Sequence, residues 1–179
     1  MFKFDKKGSI LYSGNRMLKI RKFKERDSKR LKEIAPKAFM VYARFGIDKT
    51  LPGEKTKENY RKEVAGYIEK FLNKEKDFTI LVAEVNKITV GYIVLKINPV
   101  LTEIYGFKWG TIVSLAVEPK YQGRGIGPEL VKRGLGWMKK NGAKYVEVKT
   151  DQNNIAAIRT YEKNGFRVIY SGITLSQWL

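Results

Sequence analysis

Apolar and polar positions along the chain repeat with a strand period in some stretches and a helical period in others. From residue 18 to 24, Leu18, Ile20 and Phe23 alternate with Lys19, Arg21 and Lys22, the pattern of a strand with one face buried. Asp27 or Ser28 suits an N-cap, and behind it Leu31, Ile34, Ala38 and Val41 recur at helical spacing. Pro36 lies inside that stripe, so a kink or a break into two helices is expected. After Leu51-Pro52-Gly53, the positions of Tyr60, Val64, Tyr67, Ile68, Phe71 and Leu72 predict an amphipathic helix whose aromatic face joins the core.

The period then shortens. Residues 78–85 and 88–97 are β-branched runs joined at Asn86-Lys87, which reads as a hairpin. Residues 98–110 read as a loop, 111–117 as a dense apolar strand, and about 128–140 as a helix closed by Asn141-Gly142. A strand over 145–150 and a helix over 155–163 follow, with Asn164-Gly165 as the helix stop signal. Residues 166–170 and 173–178 read as two final strands. The reading is one α/β (α+β) domain over 16–179, with six to seven strands and about four helices. Residues 1–15 are an N-terminal extension or a small hairpin turning around Asp5 to Gly8.

Composition narrows the chemistry. The chain has 179 residues, 43% of them apolar, enough for one cored domain. It has no His and no Cys. That removes a Ser-His-Asp triad, a His base, a thiol nucleophile and the usual imidazole or thiolate metal sites, so no metal is expected. Catalysis is left to carboxylates, Tyr, Lys, Ser, Thr, the backbone or a cofactor. The net charge of +18 attracts nucleic acid, anionic lipid or a phosphorylated cofactor, and equally describes a solvated surface. The basic excess runs along the whole chain, unlike a dedicated nucleic-acid tail. The first sixteen residues contain no apolar core of a targeting signal, and the longest uncharged run, 168–179, is too short to span a bilayer. A cytoplasmic protein is expected.

Gln122-Gly123-Arg124-Gly125-Ile126-Gly127 stands between the dense strand and its helix. Alternate glycines allow close backbone approach, and amides at a helix N-terminus suit an anionic group such as a phosphate. Pro128 fits the first helical turn, where its missing N–H is not needed. A dinucleotide fingerprint fails at Pro128, and no P-loop lysine is present.

Together with Val117-x-Pro119-x-Tyr121 before it, the loop resembles the central motif of the GNAT superfamily of N-acetyltransferases, matched at Gln122, Gly125 and Gly127. A second resemblance runs from Asn154 through a helix to Tyr161-Glu162-Lys163-Asn164-Gly165-Phe166. The resemblance is close over 111–170 and in pattern only over 18–97. It implies a mixed, mostly antiparallel sheet flanked by helices, with acetyl-coenzyme A as cosubstrate.

Several residue roles are implied by it. Main-chain groups of Leu115, Ala116 and Val117 would pair with the pantetheine arm as an added strand. The loop from Gln122 and Gly123 through Arg124, Gly125, Ile126, Gly127 and Pro128 would hold the pyrophosphate, with Arg124 adding charge. Asn154 would bond the pantetheine, and Tyr161 would be the general acid for the departing sulfur. Where family members carry Glu or His as base, this chain has Thr111 and Val113. Glu103 is the preferred substitute, with an ordered water relay equally admissible and Glu84, Glu147 and Asp151 the other carboxylates.

The implied activity is direct acetyl transfer to a primary amine: a protein N-terminus or lysine, an amino sugar or a small amine. Tyr42, Phe45, Tyr60, Tyr105, Phe107 and Trp109 are candidates to line the acceptor pocket. Two alternatives stand beside it: a coenzyme A-binding sensor without catalysis, and a basic nucleic-acid-binding module. No membrane partner is expected, and a homodimer is left open.

Overall fold

The computed structural model describes residues 3–4, 10–12, 16–39, 54–73 and 78–172. In chain order the elements are β1 (Lys3–Phe4), β2 (Ile10–Tyr12), β3 (Arg16–Lys22), α1 (Ser28–Phe39), α2 (Glu54–Asn73), β4 (Thr79–Val85), β5 (Ile88–Asn98), α3 (Pro99–Tyr105), β6 (Trp109–Val117), α4 (Ile126–Lys140), β7 (Tyr145–Val148) and α5 (Ile155–Glu162). The strands form one seven-stranded sheet in sequential order. Every neighbouring pair is antiparallel except β6 and β7, which run parallel because α4 carries the chain back between them.

Helices cover both faces, so the central strands are buried on both sides and read as continuous apolar runs. In β4, Ile80 and Val82 point into a core with Leu31, Ile34 and Ala35 of α1 and Ile68 and Phe71 of α2. Leu81, Ala83 and Val85 point into the opposite core with Ile126, Leu130, Val131 and Met138 of α4 and Tyr161 of α5. The β4–β5 turn is the expected one. Asn86 and Lys87 both take positive φ, 50° and 64°, which matches the twist of the paired strands.

Three expectations are corrected. Helix α1 runs unbroken through Pro36, which is buried; no break into two helices occurs up to Phe39, and Val41 lies outside the described residues. Residues 99–105 form α3 instead of a loop. Asn98 Oδ1 accepts the Leu101 amide at 3.1 Å, Pro99 takes the first turn, and Gly106 closes the helix at φ 68°. The described helices are therefore five rather than about four. Finally, residues 166–170 are not a strand: Val168, Ile169 and Tyr170 are 66%, 78% and 84% exposed, so β-forming side chains there have no face to bury. Residues 173–178, the turn near Asp5 to Gly8, and Tyr42 and Phe45 lie outside the described residues, while β1 pairs with β2 through Lys3–Leu11 and Phe4–Ile10. No helix among the described residues is long and apolar enough to cross a membrane.

A polar network joins α1 to the sheet. The Asp27 carboxylate, 3% exposed, accepts from Arg21 Nη1 and Nη2 at 2.7 and 2.9 Å, the Thr89 hydroxyl at 2.7 Å and the Lys24 amide at 2.9 Å. Burial alone would raise its pKa, but these donors outweigh that and hold it at about 2.

Candidate functional site

The site begins where β6 loses one neighbour. β6 and β7 pair only from Trp109–Tyr145 to Ile112–Val148, and β7 then ends. On its other side β6 stays paired with β5 to the last residue: Leu115 faces Ile93, Ala116 faces Tyr92 and Val117 faces Gly91. Residues 114–117 thus have a partner on the β5 side, and residues 113–117 have no described strand on the other, an open edge of about 16 Å. The register of β6 against β5 also slips at this point. Val94 pairs with Ser114 but Leu95 pairs with Ile112, leaving Val113 as a bulge. Val113 begins the splay.

The open edge leads into the glycine loop. Gln122 donates its Nε2 amide to the Val117 carbonyl at 2.9 Å, folding the loop back onto the strand end. Gly123 and Gly125 take φ of 71° and 80°, and Gly125 is the N-cap of α4. That backbone conformation is strained for a residue with a Cβ. The first intrahelical bond is Glu129 N–H to Gly125 O at 3.2 Å, so the amides of Ile126 and Gly127 have no intrahelical acceptor and Pro128 has no N–H. These amides and the positive end of the helix dipole, next to the open strand edge, are the kind of group that suits an anion. Arg124 adds an exposed cation, its guanidinium 5.8 Å from the Tyr121 ring centre. Gly127 abuts α5, where a Cβ would lie 3.4 Å from Thr160 Cγ2.

α5 lies against α4. Asn154 caps it, its Oδ1 accepting the Ala157 amide at 3.1 Å. Tyr161 is 7% exposed, and its ring meets Phe166 edge-on at 5.7 Å. Burial pushes its phenol above the ordinary range, so it is protonated at neutral pH. Tyr161 shares a core cluster with Val117 and Ile126, Leu115 packs against it, and Gly127 abuts Thr160, so the end of β6, the glycine loop and α5 adjoin one another.

Glu103 is placed apart from that end of β6. It is exposed on α3, which joins the opposite end of β6 through the Trp109 amide and Thr102 Oγ1 at 3.0 Å. From Trp109 to Leu115 the strand covers about 20 Å. Of the other carboxylates, Glu84 is held by Arg21 Nε and Nη2 at 2.9 and 2.7 Å. Glu147 is half-buried and stands in register with Thr111. Asp151 follows β7 and faces α2: after burial itself, its charge and that of Glu63 raise the Tyr60 phenol. Tyr105 and Phe107 each stack on Trp109, whose ring meets Tyr145 tilted at 4.3 Å, a cluster at the far end of β6.

Comparison with known proteins bears on family and fold. The model of the acetyltransferase (GNAT) family matches residues 42–166. The chain is 31% identical over 106 residues to an uncharacterized N-acetyltransferase of Methanocaldococcus jannaschii, covering 59% of this chain and 46% of that one. It is 35% identical over 79 residues to the mycothiol acetyltransferase of Corynebacterium glutamicum, covering 40% of this chain and 27% of that one. The matches thus span less than half the length of these two curated relatives. Among solved structures, the PaiA N-acetyltransferase of Thermoplasma acidophilum, in complex with coenzyme A, superposes with a TM-score of 0.66 at 23% identity over 84% of this chain and 90% of that one. A protein of Pyrococcus horikoshii OT3 superposes with a TM-score of 0.66 at 27% identity, covering 87% and 93%.

Proposed function

The chain belongs to the acetyltransferase (GNAT) family, and on that premise we propose that it transfers an acetyl group from acetyl-coenzyme A to a primary amine by direct attack. The observation that carries this reading is the splay of β6 from β7 beyond Ile112 and Val148, opening onto the amides of the glycine loop. An extended amide-bearing arm fits that edge as an added strand, with its pyrophosphate on the α4 N-terminus. The coenzyme A complex of the Thermoplasma relative, of the same fold, supports that choice of cosubstrate.

In the proposed mechanism the neutral amine attacks the thioester carbonyl carbon. Its nitrogen bonds to that carbon and the carbon–sulfur bond breaks. Main-chain groups released from the ladder at the Val113 bulge polarise the carbonyl in this reading. Tyr161, protonated through burial, gives its proton to the leaving sulfur. The proton lost by the amine leaves through ordered water, and water returns one to the Tyr161 phenolate, so the cycle has no net proton change. Glu103 receives it only at the end of such a relay, since it stands at the other end of β6; Asp151, on the α2 side, is nearer the splay by position in the chain. With neither His nor Cys, the route forms no acyl-imidazole and no acyl-thiol enzyme.

The test is release of coenzyme A thiol from acetyl-coenzyme A across a panel of amino-terminal peptides, lysine peptides, amino sugars and small amines. Amine-dependent release supports the reading and names the acceptor class. Tight acetyl-coenzyme A binding with no release on any acceptor points instead to a sensor, and absence of binding rejects the proposal.

A further inference from the structure

One ion pair stands at the junction of the open strand edge and the glycine loop. Glu118 directly follows the open strand edge at Leu115–Val117 and precedes the glycine loop at Gly123–Gly127. Its main chain is pinned to the sheet side: its amide donates to the Val90 carbonyl at 2.9 Å, and its carbonyl accepts the Tyr121 amide at 2.8 Å. Its side chain turns toward α1 and is only 8% exposed. A carboxylate that buried needs a charged partner. The partner is Arg30, eighty-eight residues earlier in the chain, whose Nη2 lies 2.5 Å from Glu118 Oε2.

Arg30 is itself fixed in place. Its Nε donates to the Thr89 carbonyl at 3.2 Å and its Nη1 to Glu33 at 2.6 Å. The Thr89 hydroxyl in turn donates to buried Asp27 at 2.7 Å, which joins Arg30 to the Arg21–Asp27–Glu84 network. Lys120 also approaches Glu118, at 3.7 Å, but it is 67% exposed and belongs to the same turn, so it cannot tie that turn to α1.

We propose that the Arg30–Glu118 pair is a positioning device for acetyl-coenzyme A, fixing the angle at which the chain leaves β6 and hence the alignment of the strand edge with the glycine loop. The inference rests on the acetyltransferase reading above. A planar guanidinium that donates in three directions at once holds such an angle; a lysine does not. Loss of the pair therefore acts on cosubstrate affinity, leaving turnover at saturation to Tyr161.

The experiment compares the wild-type protein with Arg30→Lys, Glu118→Gln and the double variant, each checked by thermal melting. Binding of acetyl-coenzyme A is measured by calorimetry and steady-state constants by thiol release. Both single variants are expected to raise Kd and KM for acetyl-coenzyme A on the order of tenfold, with kcat held within about twofold. Because the two residues act as one unit, the double variant is expected to lose no more than either single one. Arg30→Lys keeps the charge, so it remains informative if Glu118→Gln melts too early. Wild-type affinity in a folded variant, losses that add in the double variant, or a fall in kcat with KM unchanged overturns the proposal. If the wild-type protein itself does not bind acetyl-coenzyme A, the acetyltransferase reading fails and takes this inference with it. If it binds and the variants bind equally, only this inference fails.

Discussion

Gln122 donates its side-chain amide to the carbonyl of Val117, five residues earlier, at 2.9 Å. This bond closes the turn between a strand edge that pairs with no described strand on the β7 side and a helix end whose first amides have no intrahelical acceptor. Replacing Gln122 by Ala removes it and lets the loop move from the strand. The expected effect is a two- to tenfold weaker Kd for acetyl-coenzyme A by calorimetry, the range of one net hydrogen bond, roughly 0.5–1.5 kcal/mol. Unchanged affinity would show that the loop holds its position without Gln122.

Gly125 caps α4 at φ 80°, and Gly106 ends α3 at φ 68°. Alanine at either position meets similar backbone strain, on the order of 1–2 kcal/mol, and is expected to lower Tm by about 2–8 °C. Only Gly125→Ala is also expected to weaken acetyl-coenzyme A binding, because only it disturbs the amide cradle. Equal affinities for the two variants would separate the glycine loop from the cosubstrate.

Tyr161→Phe keeps the buried ring against Phe166 and removes only the hydroxyl. Turnover is expected to fall by about 100-fold or more, with KM for acetyl-coenzyme A and Tm near wild type. Because burial raises the phenol, the wild-type pH–rate profile should show no loss from phenol ionisation below a pH of about 10. An unaltered kcat in the variant would remove Tyr161 from the mechanism.

Asp27 makes the fold sensitive to acid. Its pKa is lowered to about 2 in the folded chain from the ordinary 3.8. The unfolded chain therefore takes up the proton first as pH falls, and the contribution of Asp27 is present above about pH 4 and lost between there and pH 2, to the extent of about 2 kcal/mol. Urea denaturation at stepped pH should show that loss in the wild type and its absence in Asp27→Asn. The variant's stability should also be lower at neutral pH, because it no longer pairs with Arg21.

The elements legible in the sequence are those with a strong period or a forced backbone. The hairpin at Asn86-Lys87, the stripe from Tyr60 to Leu72 and the glycine turn into α4 are of this kind. α3 escaped the reading because seven residues with no buried position make no stripe, although Asn98, Pro99 and Gly106 carry its start and stop signals. Pro36 misled in the other direction: its ring is accommodated in the core beneath α1, and the neighbouring packing outweighs one missing hydrogen bond. In the site, the loop and the Asn154–Tyr161 helix are local motifs. The open edge of β6 is a property of register between β6 and β7, and the Arg30–Glu118 contact joins residues far apart in the chain; neither leaves a periodic trace.

The central claim is that the unpaired edge of β6 and the amides of the glycine loop together hold acetyl-coenzyme A. Amide hydrogen exchange with and without saturating acetyl-coenzyme A tests it at those positions. The account predicts slowed exchange within residues 113–117 and at Gly123–Gly127, with α3 unaffected. Exchange at both segments that is unchanged by acetyl-coenzyme A would contradict it.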